Sequence, residues 1–373
     1  MKKKIILIYL VVFILTACNS NSTQSPICGK TMNEDISLPD TFYRKFIGTF
    51  GSREIVLDLT KNDTILTGEY YDKSGSVPKS LRGIIGSDFK FNLSETNNNY
   101  EEVGNFSGSF TSNSTISGKW TDKVGKQTIS FNLSEKTDSV VQITYEKRQS
   151  KNCKYAEKNK KKLTEDAMSW DTLCTTIDLD LLTVKLPSSE ASKKVNDTIM
   201  KSLCYLGIYD DRYATIEELM NSVNSIEDGT GFELSIGVYL VTNDNNIICI
   251  NIGESFYDFG AAHAQSVGNS YNFDIRTGDI ITLDDILVQN YAETLNKIGE
   301  SIFIETYGSE GWQFEQGSFE LTRDFAITPG GLLFSYDQSE IGVYAAGAPE
   351  VFIPYKDINN LIKPNGLLKA WRK

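Results

Sequence analysis

A chain of 373 residues is long enough for two domains of ordinary size plus linkers, and 40% hydrophobic with 11% aromatic residues is enough apolar material to fill their cores. With 37 Lys and Arg against 49 Asp and Glu the formal net charge is −12, which excludes a general nucleic-acid binder that works by neutralising phosphates. A single histidine, His263, excludes zinc sites built on two or more His and multi-His mechanisms.

Residues 1–17 read as a leader. Lys2, Lys3 and Lys4 precede an apolar run from Ile5 to Leu15, too short to span a bilayer comfortably. The run ends at Leu15-Thr16-Ala17-Cys18, which resembles the lipobox of bacterial lipoproteins. That resemblance implies a diacylated Cys18, cleavage just before it and attachment to a membrane through lipid. The other reading is an ordinary secretory signal in which Cys18 is incidental. Asn19 stands where Asp commonly retains lipoproteins on an inner membrane, so the resemblance favours an outer membrane and a periplasm-facing protein in a cell with two membranes. Residues 18–40, rich in Asn, Ser and Thr, read as a flexible tether of up to roughly 70 Å.

Cys28, Cys153, Cys174, Cys204 and Cys249 remain, an odd number that leaves at most two bridges within the chain. Export permits disulfides, and Cys153 with Cys174 and Cys204 with Cys249 are the candidate pairs. Buried free thiols are the alternative. No Cys-x-x-Cys is present.

Residues 41–135 read as an all-β domain. Ile55, Leu57 and Leu59 alternate with Val56 and Asp58, and further short runs at 65–71, 81–85, 89–93, 105–110, 116–120 and 128–133 are separated by turn residues. Phe91-Asn92-Leu93-Ser94-Glu95 recurs as Phe131-Asn132-Leu133-Ser134-Glu135, and Thr67-Gly68-Glu69-Tyr70 matches Ser107-Gly108-Ser109-Phe110 at the same offset. This predicts a duplicated β-meander forming an antiparallel sheet, sandwich or small barrel, with rings lying over strand glycines. Tyr70, Tyr71, Phe110 and Trp120 are read as core in preference to a sugar-stacking platform.

Residues 136–170 are expected to be a basic linker, helical from Ser150 to Met168. Lys147 to Lys162 holds eight basic residues and one acid, Glu157. From 171 to 373 the pattern is α+β, with helices packed on one face of an antiparallel sheet. A strand at 177–181 leads to a helix from Ser188 or Ser189 to Leu206, with Val195, Ile199, Leu203 and Leu206 on one stripe. A short helix at 215–223 precedes a long hairpin, 232–242 with 247–259. Strands follow at 270–275, 325–328, 332–336 and 351–353, with helices at 290–307 and 355–362.

Several ordered motifs in this half carry a second resemblance. They are Gly260-Ala261-Ala262-His263, Asn272-Phe273-Asp274, Thr277-Gly278, Leu283-Asp284-Asp285-Ile286, Gly331-Leu332-Leu333-Phe334, Tyr344-Ala345-Ala346-Gly347 and Val351-Phe352-Ile353-Pro354-Tyr355. Over about residues 172–363 the chain resembles the extracellular domain of unknown function found in lysozyme-sensing anti-sigma factors of the RsiV type and in peptidoglycan deacetylases of the PdaC type. Ala261 replaces the family's second Gly, and Ala264 stands where Pro often follows the His. A deacetylase domain would need two His on one zinc, so what the resemblance implies is the ligand-binding ectodomain alone.

Gly260, His263, Tyr344 and Gly347 are therefore candidate ligand-binding or loop-structural residues, with no catalytic residue, metal or cofactor assigned. Glu254 and Asp258 share a strand face but stand among many acids, so the pair is discounted as a glycosidase site. The negative charge is not spread evenly: residues 170–373 hold 30 acids and 13 bases, net −17, whereas 18–135 are nearly balanced. The expected function is a non-enzymatic, membrane-anchored envelope lipoprotein whose acidic C-terminal domain binds a cationic protein such as lysozyme, or peptidoglycan. A carboxylate-dependent glycan hydrolase and a scaffold without a soluble ligand are the alternatives.

Overall fold

Alternating burial along the first eight strands follows from a period of two, one side chain inward and the next outward. The computed structural model describes residues 36–372 except 74, 75, 77, 98–100, 139, 154–173, 206–214, 225–230, 315 and 316. Strands β1 (Thr41–Phe50), β2 (Arg53–Asn62), β3 (Ile65–Asp72), β4 (Lys79–Ile85), β5 (Lys90–Thr96), β6 (Glu102–Ser112), β7 (Thr115–Asp122) and β8 (Thr128–Glu135) run antiparallel in chain order. Pairing of β1 with β8 closes them into a barrel, the last of the three forms expected.

Rings fill the barrel. Phe42, Phe46, Phe50, Tyr70, Phe91, Phe106, Phe110 and Phe131 are all buried in one cluster with the aliphatic residues of β2, β3 and β5. The sequence repeat acquires a physical meaning here: Phe91 and Phe131, one from each copy, stack on one another at 6.3 Å. Gly108 and Gly118 face each other across β6 and β7, and a Cβ on either would lie 2.8 Å from a repeat phenylalanine. The rings over those glycines therefore come from other strands, not from the aromatics two residues away. Tyr70 and Phe110 are core, as read from the sequence, whereas buried Tyr71 lies on the barrel's outer surface.

The basic stretch after the barrel is not the linker expected. Residues 142–152 form strand β9 (Gln142–Asn152), paired over its full length with β10 (Thr175–Lys185). Its alternation of Ile143 and Tyr145 with polar residues is a half-buried edge strand, a pattern that the run of lysines obscures. The rest of the expected helix, the leader, Cys18, Cys28 and most of the tether lie outside the described residues.

A five-stranded sheet follows in the order β13-β12-β11-β10-β9, with β11 (Phe232–Asp244), β12 (Ile247–Asp258) and β13 (Gln265–Asp274) antiparallel in sequence. β10 and β11 are parallel, so the sheet is mixed. The helical crossover between them makes this possible. Its described residues include α1 (Ser189–Tyr205) and the short α2 (Ile216–Asn221). Val195, Ile199 and Leu203 of α1 join Ile248, Ile250 and Ile252 of β12 in one core.

The second core lies over one end of the opposite sheet face. It holds α3 (Leu283–Ile286), α4 (Tyr291–Tyr307) and a three-stranded sheet β14 (Phe325–Ile327), β15 (Gly331–Ser335) and β16 (Glu350–Pro354). Phe303 of α4 is fully buried there among Trp312, Phe314, Phe319 and Tyr336. The helix expected at 355–362 is only a 3-10 turn, Tyr355–Asp357. Tyr355 O and Ile358 O still accept from amides within the segment, but Leu361 O accepts from Val288 N and Lys363 N donates to Ile286 O, and Pro364 disfavours a helical Lys363.

Barrel and sheet meet through polar contacts. Val141 and the Asn243 side chain exchange two hydrogen bonds, each 3.0 Å, and Lys136 pairs with Asp244 at 3.1 Å.

Candidate functional site

The β12–β13 connection carries the loop singled out by sequence. Ala261 N donates to Asp258 O across a turn in which Gly260 has φ +98°, a conformation costly for any side chain. His263 is exposed, and its ring stacks on Tyr344 at 3.7 Å and 18°. The Tyr344 hydroxyl donates to Ala264 O, and His263 Nδ1 lies 3.1 Å from the same oxygen. Tyr344 opens a 3-10 turn that Gly347, at φ +82°, closes. The structure thus brings His263 and Tyr344 into contact, and places Gly260 and Gly347 at the turns that present them.

Cys153 and Cys174 form a disulfide that continues the β9–β10 ladder just beyond Asn152 and Thr175. Cys249 is a free, buried thiol, so the pairing with Cys204 is not made. Period-two geometry explains why. Ile248 and Ile250 face α1, and Cys249 between them faces the second core, where its environment includes Ile327. Burial holds its thiol well above the ordinary cysteine range.

From Tyr344 back to Asp337 the chain runs beside β13, the outer strand of the sheet. Gly268 N donates to Asp337 Oδ1 at 3.0 Å and Ser270 N to Asp324 Oδ1 at 2.6 Å. Asp337 N in turn donates to Glu340 at 2.8 Å. Carboxylates thus occupy backbone donors that another strand would otherwise seek. Burial raises the Asp324 carboxyl to about 6, against the Ser270 N–H that favours its anion, with Asp337 and Glu340 adding like charge. Asn272, one pair further along, locks onto β14 through Phe325 O (2.7 Å) and Ile327 N (2.8 Å).

Beyond that junction no described residue covers the sheet face opposite α1. Its cross-strand rows are Tyr239–Asn251–Ser270, Gly237–Gly253–Gly268 and Ser235–Ser255–Ser266 on β11, β12 and β13. Asp178 and Asp180 extend the last two rows on β10, beside Gln149 and Lys147 of β9. The sequence reading missed these rows: neighbouring members stand 11 to 20 residues apart, and only the strand register aligns them. Glu254 is buried on the α1 side of the sheet, away from this face. Among the described residues no group of three or more His, Cys, Asp or Glu is arranged to hold a metal.

Residues 284–356, from α3 to the turn after β16, match the model of a family described as a protein of unknown function, DUF3298. A DUF3298 domain lies at the C-terminal end. The matched segment contains Asp324, Asp337, Tyr344 and Gly347, while β12, β13 and His263 precede it. Two solved DUF3298 family structures are similar to this chain. One, from Bacteroides fragilis, is 17% identical, covers 64% of this chain and 98% of its own, and gives a TM-score of 0.46. The other, from Pseudomonas aeruginosa, is 19% identical, covers 60% and 95%, and gives 0.44. Comparison with curated proteins found no match.

Proposed function

We propose that the protein is a non-enzymatic cell-envelope lipoprotein, anchored through acyl chains on Cys18, whose acidic C-terminal region captures a cationic protein. Concentration of charge carries this reading: net −17 over residues 170–373. A field of that sign accelerates encounter with basic partners without choosing among them. Lysozyme is the first bait because the RsiV-like motifs imply it, and peptidoglycan is the second. The lipobox-like Leu15–Cys18 supports an envelope location, with an outer membrane facing the periplasm favoured by Asn19.

The deciding experiment is a pull-down with the chain from residue 31 onward, using immobilised lysozyme and peptidoglycan at low and high salt. Retention by lysozyme that falls steeply with ionic strength is the expected result. Retention by neither bait at low salt overturns the reading.

One observation favours a second reading, a carboxylate-dependent glycan hydrolase: Asp324, raised to about 6, stands near Asp337 and Glu340. Under that reading Asp324→Asn abolishes release of soluble sugars from peptidoglycan while binding persists.

A further inference from the structure

The glycines on the sheet face opposite α1 are not all explained by the fold. Gly237 has an internal reason, since a Cβ there would lie 2.2–2.5 Å from the hydroxyl and ring of Tyr239, which lies across it. Gly253 and Gly268 have none. Neither has a positive φ, and among the described residues beyond its chain neighbours the nearest atom to an added Cβ would be 3.9 Å and 3.6 Å away respectively. Two adjacent strand positions therefore forgo a side chain that would fit. Glycine inside a strand weakens it, and commonly marks a place where another molecule approaches the backbone closely. Tyr239, 54% exposed, presents its ring beside this floor.

The margin of the face is acidic. Asp178, Asp180 and Glu233 border it on β10 and β11, and Asp324 and Asp337 border it along β13. Lys147 and Lys151 of β9 are the cations on the same rows, and Lys147 is already paired with Asp180 at 3.1 Å.

We propose that this face is the surface on which the acidic domain docks its partner, and that the partner is a basic protein whose Arg or Lys side chains lie along the Gly253–Gly268 floor, one of them against the ring of Tyr239. The inference rests on the cationic-ligand reading above and adds the place where the ligand sits. Charge complementarity selects the occupant, because a phosphate- or uronate-bearing polymer meets like charge on two sides. An apolar helix or acyl chain finds only Gly, Ser, Asn and Tyr on the floor. Strand addition is not available on a face whose backbone bonds lie within the sheet. A guanidinium or ammonium group gains both the aromatic face and the carboxylate margin.

Binding of hen lysozyme and of cytochrome c, two basic proteins, to the full chain in detergent solution tests this by biolayer interferometry at low and high salt. Gly253→Val with Gly268→Val fills the floor without changing net charge and places a strand-favouring residue where there is room. Tyr239→Ser removes the exposed ring. Each variant is expected to weaken binding about tenfold or more while the melting temperature of the glycine double variant stays level or rises. Wild-type affinity in both variants, with salt-sensitive binding intact, overturns the docking face and leaves the cationic-ligand reading standing. Absence of binding by the wild-type chain to either basic protein at low salt overturns both.

Discussion

A fully buried lysine on the barrel's outer surface gives the sharpest test of the energetics. Lys45 of β1, Asp58 of β2 and Glu69 of β3 form one cross-strand row, in which Lys45 pairs with Asp58 and Glu69 stands on the far side of Asp58. The Lys45 side chain is 0% exposed and Asp58 19%, with 2.9 Å between ammonium and carboxylate. Lys45 also donates to the Tyr71 hydroxyl at 3.1 Å, and Tyr43 donates to Asp58. Asp58→Asn strands an ammonium that has no path to water. Breaking one side of a buried pair costs roughly 3–5 kcal/mol, and the remaining Tyr71 hydroxyl puts this case near the lower end, about 3 kcal/mol. Lys45→Met should cost less, because Asp58 keeps Tyr43 and some solvent. Urea titration of both variants, followed by far-ultraviolet circular dichroism, reads the two losses. A loss below about 1 kcal/mol for Asp58→Asn, or a larger loss for Lys45→Met, would refute the reasoning.

The same row predicts a pH dependence. Burial and the adjacent Asp58 raise Glu69 to about 7 from 4.5. The folded state therefore holds a proton that the unfolded chain releases, and stability present below about pH 4.5 is lost as pH rises through about 7. Glu69→Gln should flatten the melting temperature between pH 5 and 8 and raise it at pH 8. Replacing Cys153 by Ser should cost roughly 3 kcal/mol, from a closed loop of about twenty residues, while Cys249 stays unreactive to Ellman's reagent until the chain unfolds. At Gly83 a Cβ would lie 1.8 Å from Asn92 O, so Gly83→Ala should destabilise by about 2 kcal/mol or more in thermal denaturation, in contrast to the tolerant Gly253.

Legibility in the sequence followed the reach of the signal. The alternation of β2 and β5, the α1 stripe of Val195, Ile199 and Leu203, and the Asn243–Asn246 hairpin turn are all local patterns, and they place their elements within a few residues. Barrel closure was among the forms expected, but pairing of Gly48 with Leu133 is set by contacts that no local window contains. β9 was hidden because lysines on an edge strand resemble those of a solvated helix. His263 and Tyr344 could be named separately as motif members; their stacking depends on how the 337–347 segment runs along β13. The floor of Gly253 and Gly268 depends wholly on register.

β9 also makes the chain's passage from barrel to sheet mechanical. Only residues 136–141 separate β8 from β9, and β9 meets β10 in eleven antiparallel pairs that end beside a covalent cross-link. Gln142 lies opposite Lys185, so tension entering β9 from the barrel loads the open end of this ladder, and the Cys153–Cys174 cross-link sits at its far end. A pull between barrel and acidic half would open the pairs from Gln142 inward and be stopped by that cross-link.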